Sequence, residues 1–400
     1  MKAFRYASPT ELVYGAGSRR RVGGEIAQLG GSRVLIVTDR GLAGVGVADE
    51  LATHVATDGV ELVGIWTDVP QDPTFADVEA LVAKVRTDRV DTVISLGSGS
   101  VMAAGRSAGV CAPDERSVRA IAKAGPVGRP LLNVCLPTTA GSGGEVSRQA
   151  TLTDDESGEK SGVRGWQAAA RLAVLDPELL VSVPRGQAVA SGIDAMLHAL
   201  EAYWSRRATI VTDSLARPSF SVLFTKLVES IETRDVEVLG ELLVASTMAN
   251  LACGNAGLGL VHGLNKGITG LAHKQGYEAV PYGMLHAILL PWVVDFNIPA
   301  AASKLATLAR DVGVAQDDDD DTNAAVALNA AIAGWLLELD APRVLPWPTC
   351  TDDDVEFIVK DTAGRPMWQD NARTATEEEL ADLVRKSLTD WSEIDWSTTL

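Results

Sequence analysis

The chain has 400 residues, 46% of them hydrophobic and 22% charged, with a formal net charge of −18. This is the composition of an ordinary globular protein with room for two domains. The acidic balance argues against a nucleic-acid groove or an anionic membrane surface as a partner.

The N-terminal MKAFRYASPTELVYG has no apolar signal core. Up to about residue 180, short apolar strands alternate with helical stretches. Strands are predicted at Arg33–Thr38, Glu61–Trp66, Thr92–Leu96 and Leu131–Leu136, with a helix over Thr74–Val85. Such alternation implies right-handed crossovers and a mostly parallel sheet. QATLTD followed by GEKSG reads as a hairpin-like addition turning at Glu156–Gly158. After about Pro184 the strand signals vanish, and helical patterns follow in GQAVASGIDAMLHALEAYWS, around Glu241–Ala256, in MLHAILLPWVVDF, in NAAVALNAAIAGWLLEL and in EEELADLVRKSL. The longest central apolar run, AILLPWVV, is too short to span a bilayer. The acidic run Asp317–Asp321 reads as a solvated loop ahead of the next helix. Cys111, Cys135, Cys253 and Cys350 form no metal-binding pair and are expected to be reduced thiols of a cytoplasmic protein. The expected fold class is therefore α/β plus all-α: a parallel-sheet domain at 1–181, an all-helical domain at 182–400, and a cleft between them.

Two small-residue turns mark the first half as a nucleotide-binding unit. Gly97, Ser98, Gly99 and Ser100 follow the strand TVISL and open a helix, where backbone N–H groups can approach a pyrophosphate. PTTAGSGGEVS follows the next strand and offers the hydroxyls of Thr138, Thr139 and Ser142. Asp39 ends the strand RVLIVTD, where a carboxylate accepts from ribose hydroxyls and repels a 2′-phosphate; capping the next turn is the plainer use of the same residue. NAD(H) is expected in preference to NADP(H). In the second half, Asp194 and His198 stand four apart in GIDAMLHALEAYWS and share a helix face, and His262 follows in GLGLVHG. One carboxylate and two imidazoles are the makings of a divalent metal site.

Taken together, VTDRGL, GSGS, PTTAGSGGEVS, LTDDESGEKSG, LDPELL and GIDAMLHALEAYWS resemble the iron-containing (group III) alcohol dehydrogenase family over most of the chain. The resemblance implies a Rossmann-like domain for NAD(P), a helical metal domain, and hydride transfer between an alcohol and an aldehyde or ketone in the interdomain cleft. By motif, it implies cofactor contacts from Asp39, Gly97, Ser98, Gly99, Ser100, Thr138, Thr139, Ser142 and Lys160. It also implies metal ligation by Asp194, His198 and His262, and a homodimer acting on a small-molecule alcohol or carbonyl substrate.

Several positions depart from the family. Its glycine-rich turn continues as GGGSxxDxxK, whereas the Asp and Lys positions here are Ala103 and Arg106. The fourth ligand, normally in a Pro-His-Gly, is replaced by Tyr282 in PYGMLHAILLP; a phenol, with an ordinary pKa near ~10, is a poorer ligand than imidazole at neutral pH. His286, one helical turn on, reads first as a packed helix histidine and second as a substitute ligand. His273 is a shifted counterpart of a family active-site histidine, or Lys266 occupies that place without a gap. Arg164 and Trp166 in GVRGWQ flank the substrate segment, although a surface Arg is the plainer reading, and His54 reads as a surface residue.

Three readings follow. In the first, Asp194, His198, His262 and Tyr282 or His286 hold Fe2+ or Zn2+, and His273 passes the proton. In the second, the metal is absent, as in the family's maleylacetate reductases, and Tyr282 assisted by Lys266 is the general acid. In the third, the scaffold serves a non-redox reaction or binds a ligand only.

Overall fold

The computed structural model describes residues 3–56, 59–156, 158, 160–277, 280–347 and 350–397. Two compact units make up the chain: Ala7–Val183 with Asp235–Thr247, and Pro184–Arg234 with Met248–Leu400 and Met1–Tyr6. A single division at 181 does not describe them. The first half of the helix Val236–Ala256 belongs to the sheet unit, where Thr247 Oγ1 donates to the buried Glu145 carboxyl (2.9 Å) and Gly240 leaves room for the Tyr14 hydroxyl.

The sheet unit is built on strands β1 (Glu11–Tyr14), β2 (Arg33–Val37), β3 (Glu61–Trp66), β4 (Thr92–Gly97), β5 (Leu132–Pro137), β6 (Gln149–Thr153), β7 (Lys160–Arg164) and β8 (Leu172–Leu175). Six of them form one parallel sheet in the order β1-β8-β5-β4-β2-β3. Val34, Leu35, Ile36 and Val37, like Val93, Ile94, Leu96, Val134, Cys135 and Leu136, are wholly buried, as befits parallel strands covered on both faces. The four predicted strands are present with ends shifted by at most one residue, while β1 and β8 are additions. β6 and β7 pair antiparallel from Gln149↔Arg164 to Thr153↔Lys160, which is the expected hairpin; its turn includes Ser157, outside the described residues. The predicted helix is Phe75–Thr87, set by a capping box in which Thr74 Oγ1 accepts from Asp77 N and the Asp77 carboxylate accepts from Thr74 N.

The order in which strands are added reverses between β2 and β4. From β2 the chain moves out to β3 at one edge, then crosses back to β4 and on to β5. Ligands of open parallel sheets bind outside the carboxyl ends of the strands at such a reversal. Asp39 stands just past β2 and Gly97–Ser100 at the end of β4.

In the other unit no strand occurs among the described residues. Its helices include Arg185–Trp204, Ile210–Thr233, Leu260–Gln275, Tyr282–Asp311, Asp321–Glu338, Asp352–Ala363 and Glu377–Lys386. Val236–Ala256 and Tyr282–Asp311 are long and apolar enough to cross a bilayer, but most of each is buried within the fold, as in core helices. The acidic run serves as a helix start: Asp320 accepts from Thr322 N and Asn323 N, and Arg310 pairs with Asp321. All four cysteines are unbridged.

Candidate functional site

The helical unit gathers three histidines around one carboxylate oxygen. Asp194 and His198 lie one turn apart on Arg185–Trp204, His262 in the first turn of Leu260–Gln275, and His286 in the second turn of Tyr282–Asp311. Nε2 of His286, His262 and His198 stand 3.0, 3.6 and 3.8 Å from Asp194 Oδ1. The potential ligand atoms of Asp194, His262 and His286 all lie within 4.8 Å of one another. Gly283 makes this geometry accessible: a Cβ there would stand 2.0 Å from the Ala190 carbonyl oxygen, so only glycine lets the Tyr282–Asp311 helix approach Arg185–Trp204 closely enough to present His286.

Charge at the cluster is strongly divided. Burial opposes ionisation of Asp194, yet the surrounding imidazoles hold its carboxyl well below the usual carboxylate range. Burial, with help from His262 and His286, pushes His198 down to about 4 against the pull of Asp194. Burial also lowers His286, with His262 acting in the same direction. His262 goes the other way: burial opposes it, but Glu201 and Asp194 carry it up to about 9. Two carboxylates thus face a single imidazolium, and His262 Nε2 is buried with no hydrogen-bond partner. A divalent cation fits this set, because it takes neutral imidazole and anionic carboxylate ligands and would displace the proton on His262.

The backs of two rings are also held. His262 Nδ1 lies 2.8 Å from Glu201 Oε2, and His286 Nδ1 lies 3.0 Å from Asn265 Nδ2. With the Asn265 amide donating, His286 carries its hydrogen on Nε2 and donates to Asp194. Ligation by Nε2 requires the opposite tautomer, with the buried and unpartnered Asn265 Oδ1 turned to accept from Nδ1–H. Glu201 was not among the residues expected from sequence. Its signal is a carboxylate seven residues after Asp194 in an otherwise apolar stretch, on the same helix face.

Tyr282 sits beside the cluster, its ring centroid 4.8 Å from that of His286 and 6.2 Å from that of His262. Its phenol is pushed up by desolvation and by the Asp194 and Glu201 carboxylates, with Arg365 the opposing cation. The side chain is 38% exposed, so the two carboxylates are the firmer cause. This direction disfavours a phenolate ligand. His286, expected first to be a packing residue, is brought into the cluster instead. His273 is not: it is exposed in the last turn of Leu260–Gln275, about 16 Å along the helix from His262 at roughly 1.5 Å per residue. Lys266, one turn beyond His262 on the same helix face, is the nearer of the two residues weighed for that role.

In the sheet unit, the two small-residue turns meet. A Cβ on Gly99 would stand 2.7 Å from Ser142 Oγ, and Thr138 N donates to Gly97 O (3.2 Å). Ser98 is the N-cap of the helix Gly99–Cys111 but makes no side-chain cap bond, so the first N–H groups of that helix keep their capacity for an anion. Ser100 Oγ donates to Gln71 O, and Thr138 and Thr139 are buried at the end of β5. Asp39 caps the helix Arg40–Gly44 by accepting from Leu42 N (3.0 Å). Lys160 is ion-paired with Asp72 and donates to Thr153 Oγ1 (2.9 Å). Arg164 is exposed, Trp166 lies under the Arg148 guanidinium, and His54 is at the surface near Glu50.

The departures from the glycine-rich motif also find places. Ala103 packs in the hydrophobic core with Leu35, Val93 and Val101, where a carboxylate would be a buried charge. Arg106 is buried and donates to the carbonyls of Met102, Ser147, Ala168 and Gln149.

A parallel sheet with anion-receptive turns at its point of reversal, on a chain that also carries an Asp–His cluster, defines a dehydrogenase-type oxidoreductase. The chain belongs to the iron-containing alcohol dehydrogenase family: the family profile matches residues 9–177, and that of the family's C-terminal region matches residues 188–388. It is 28% identical over 382 residues to the NAD-dependent methanol dehydrogenase of Bacillus methanolicus, covering 95% of this chain and 98% of the relative. The probable alcohol dehydrogenase EutG of Salmonella typhimurium is 30% identical over 387 residues, covering 94% of this chain and 93% of that one. Among solved structures, a 1,3-propanediol oxidoreductase superposes with a TM-score of 0.90 at 27% identity, covering 97% of this chain and 100% of the other.

Proposed function

We propose that the protein interconverts an alcohol and its aldehyde or ketone with NAD(H), and that Asp194, His198, His262 and His286 hold an Fe2+ or Zn2+ ion for that reaction. The observation that carries the metal assignment is the convergence of three imidazole nitrogens on Asp194 Oδ1. When bound, such an ion polarises the substrate oxygen and stabilises developing alkoxide charge. Tyr282 remains a neutral phenol beside it, and Lys266, one helical turn past His262, is the residue that holds or releases a proton at Nζ. The nucleotide lies over Gly97–Ser100, with Thr138, Thr139 and Ser142 lining the adjoining turn and Asp39 accepting from the adenosine ribose. The methanol dehydrogenase relative named above as NAD-dependent supports this choice of cofactor.

The test is metal analysis of protein purified without chelators, together with NAD+-linked oxidation of a panel of primary alcohols. Wild type and His273→Asn should retain metal and activity. His286→Ala should lose metal and at least 100-fold in turnover, since an inner ligand matters more than the 10–100-fold typical of outer partners. Full metal content in His286→Ala would remove His286 from the site. A second reading, a metal-independent carbonyl reductase, is favoured by Tyr282 at the family's ligand position; activity that survives complete metal removal would establish it.

A further inference from the structure

Glu201 makes three hydrogen bonds from a fully buried position. Its Oε2 accepts from Gly259 N (2.6 Å) and lies 2.8 Å from His262 Nδ1, and its Oε1 accepts from Val261 N (2.9 Å). Gly259 is the N-cap of the helix that carries His262 and has no side chain to cap it. A Cβ on Gly259 would itself come within 2.9 Å of Glu201 Oε1, so the carboxylate occupies the place a capping side chain would fill. One side chain thus satisfies N–H groups left unpaired at the helix start and also engages the first histidine of that helix.

We propose that Glu201 is a positioning residue that fixes His262 as its Nδ1–H tautomer and leaves the Nε2 lone pair facing Asp194. The inference rests on the reading of the cluster as a metal site. The physical reason is that an ionised carboxylate only accepts, so the ring nitrogen facing it must carry the hydrogen of a neutral imidazole. The nitrogen on the opposite side is then free to ligate, and it is the buried, unpartnered Nε2. A glutamine cannot replace this function. With its oxygen at the Oε2 place, its amide faces the Val261 N–H; turned over, its amide donates to Nδ1 and moves the ring hydrogen to Nε2, blocking ligation.

Two measurements on the full-length protein test this. Zinc titration in competition with a chromophoric chelator should show Glu201→Gln binding Zn2+ 10- to 100-fold more weakly than wild type. Nitrogen-15 histidine spectra of metal-free wild type, recorded above the value of about 9 to which Glu201 and Asp194 raise His262, should show the neutral ring with its hydrogen on Nδ1. Wild-type zinc affinity in a folded Glu201→Gln protein, or an Nε2–H tautomer in wild type, overturns the proposal. If Glu201→Gln does not fold, Glu201→Asp takes its place, with the same loss expected because the carboxylate is drawn back by one methylene. If wild type binds no zinc at all, the metal reading fails by itself, and the tautomer of His262 still decides whether Glu201 sets it.

Discussion

Arg106 shows how a single position can leave a family pattern and still be fully determined by its surroundings. Where the resemblance leads one to expect a lysine, the chain has a guanidinium buried from solvent, with Nη1 donating to Ser147 O (2.6 Å) and Ala168 O (2.7 Å), and Nη2 to Gln149 O (3.0 Å). Burial pushes this guanidinium down, while Cys135 and Glu145 act in the opposite sense. The planar fork reaches separate carbonyls of the Pro137–Ser147 turn, the β6 entry and the segment before β8, which a point-like ammonium cannot do. Arg106→Lys should therefore lower unfolding free energy by about 2–4 kcal/mol, from lost charge-assisted bonds and unpaired buried carbonyls. Urea unfolding measures this, and a change within ~0.5 kcal/mol would mean the carbonyls are satisfied some other way. The same residue explains a limit of sequence reading. Its one-letter departure was visible, but its role depends on carbonyls more than 40 positions away, and no local pattern encodes that.

Elements were legible in proportion to how local their determinants are. β2, β4 and β5 are apolar runs buried on both faces, and the Thr74 capping box marks its helix start within four residues. β1 and β8 were missed because each has only four residues, and β1 leaves Leu12 and Tyr14 exposed at the sheet edge; their pairing is sustained by partners far apart in the chain. His286 is hard to read from sequence for a similar reason, since its approach to Asp194 depends on the Gly283–Ala190 contact between two helices. Asp91 is a further long-range tie, and it can be measured. Its carboxylate accepts from Ser32 N (3.0 Å), Ser32 Oγ (2.6 Å), Arg33 N (3.0 Å) and Thr92 Oγ1 (2.7 Å), joining the starts of β2 and β4. Burial acts against ionisation, but these bonds hold Asp91 below the usual carboxylate range. A carboxyl depressed in the folded state stabilises fully above its unfolded pKa of ~3.9, and that contribution is lost as pH falls through the folded value. Asp91→Asn should lower stability by about 1–3 kcal/mol near neutrality. Its stability should also fall less than that of wild type as the pH drops from about 5 to about 3. Equal slopes for the two proteins across that window would show that Asp91 does not carry the linkage.

At the scale of the whole molecule, two sources of discrimination against a phosphorylated cofactor have to be separated. The chain as a whole carries −18, a field that opposes NADPH more than NADH simply because NADPH has the larger negative charge. Asp39, at the carboxyl end of β2 beside the sheet's reversal, is the local source in the proposed reading, where it would meet a 2′-phosphate directly. The two differ in reach: exposed charges beyond roughly 8 Å are screened at physiological salt, whereas a contact pair is screened far less. Asp39 caps only a short helix, and glycine at an N-cap sacrifices a few tenths of a kcal/mol, so Asp39→Gly should fold with little loss. The expected result is a rise of at least tenfold in the NADPH-to-NADH ratio of kcat/KM, about 1.4 kcal/mol, both at low salt and at ~0.5 M salt. If the preference of wild type for NADH disappears with salt and Asp39→Gly adds nothing, the discrimination belongs to the overall charge. If wild type already favours NADPH tenfold, the ribose contact assigned to Asp39 is wrong, whatever the field contributes.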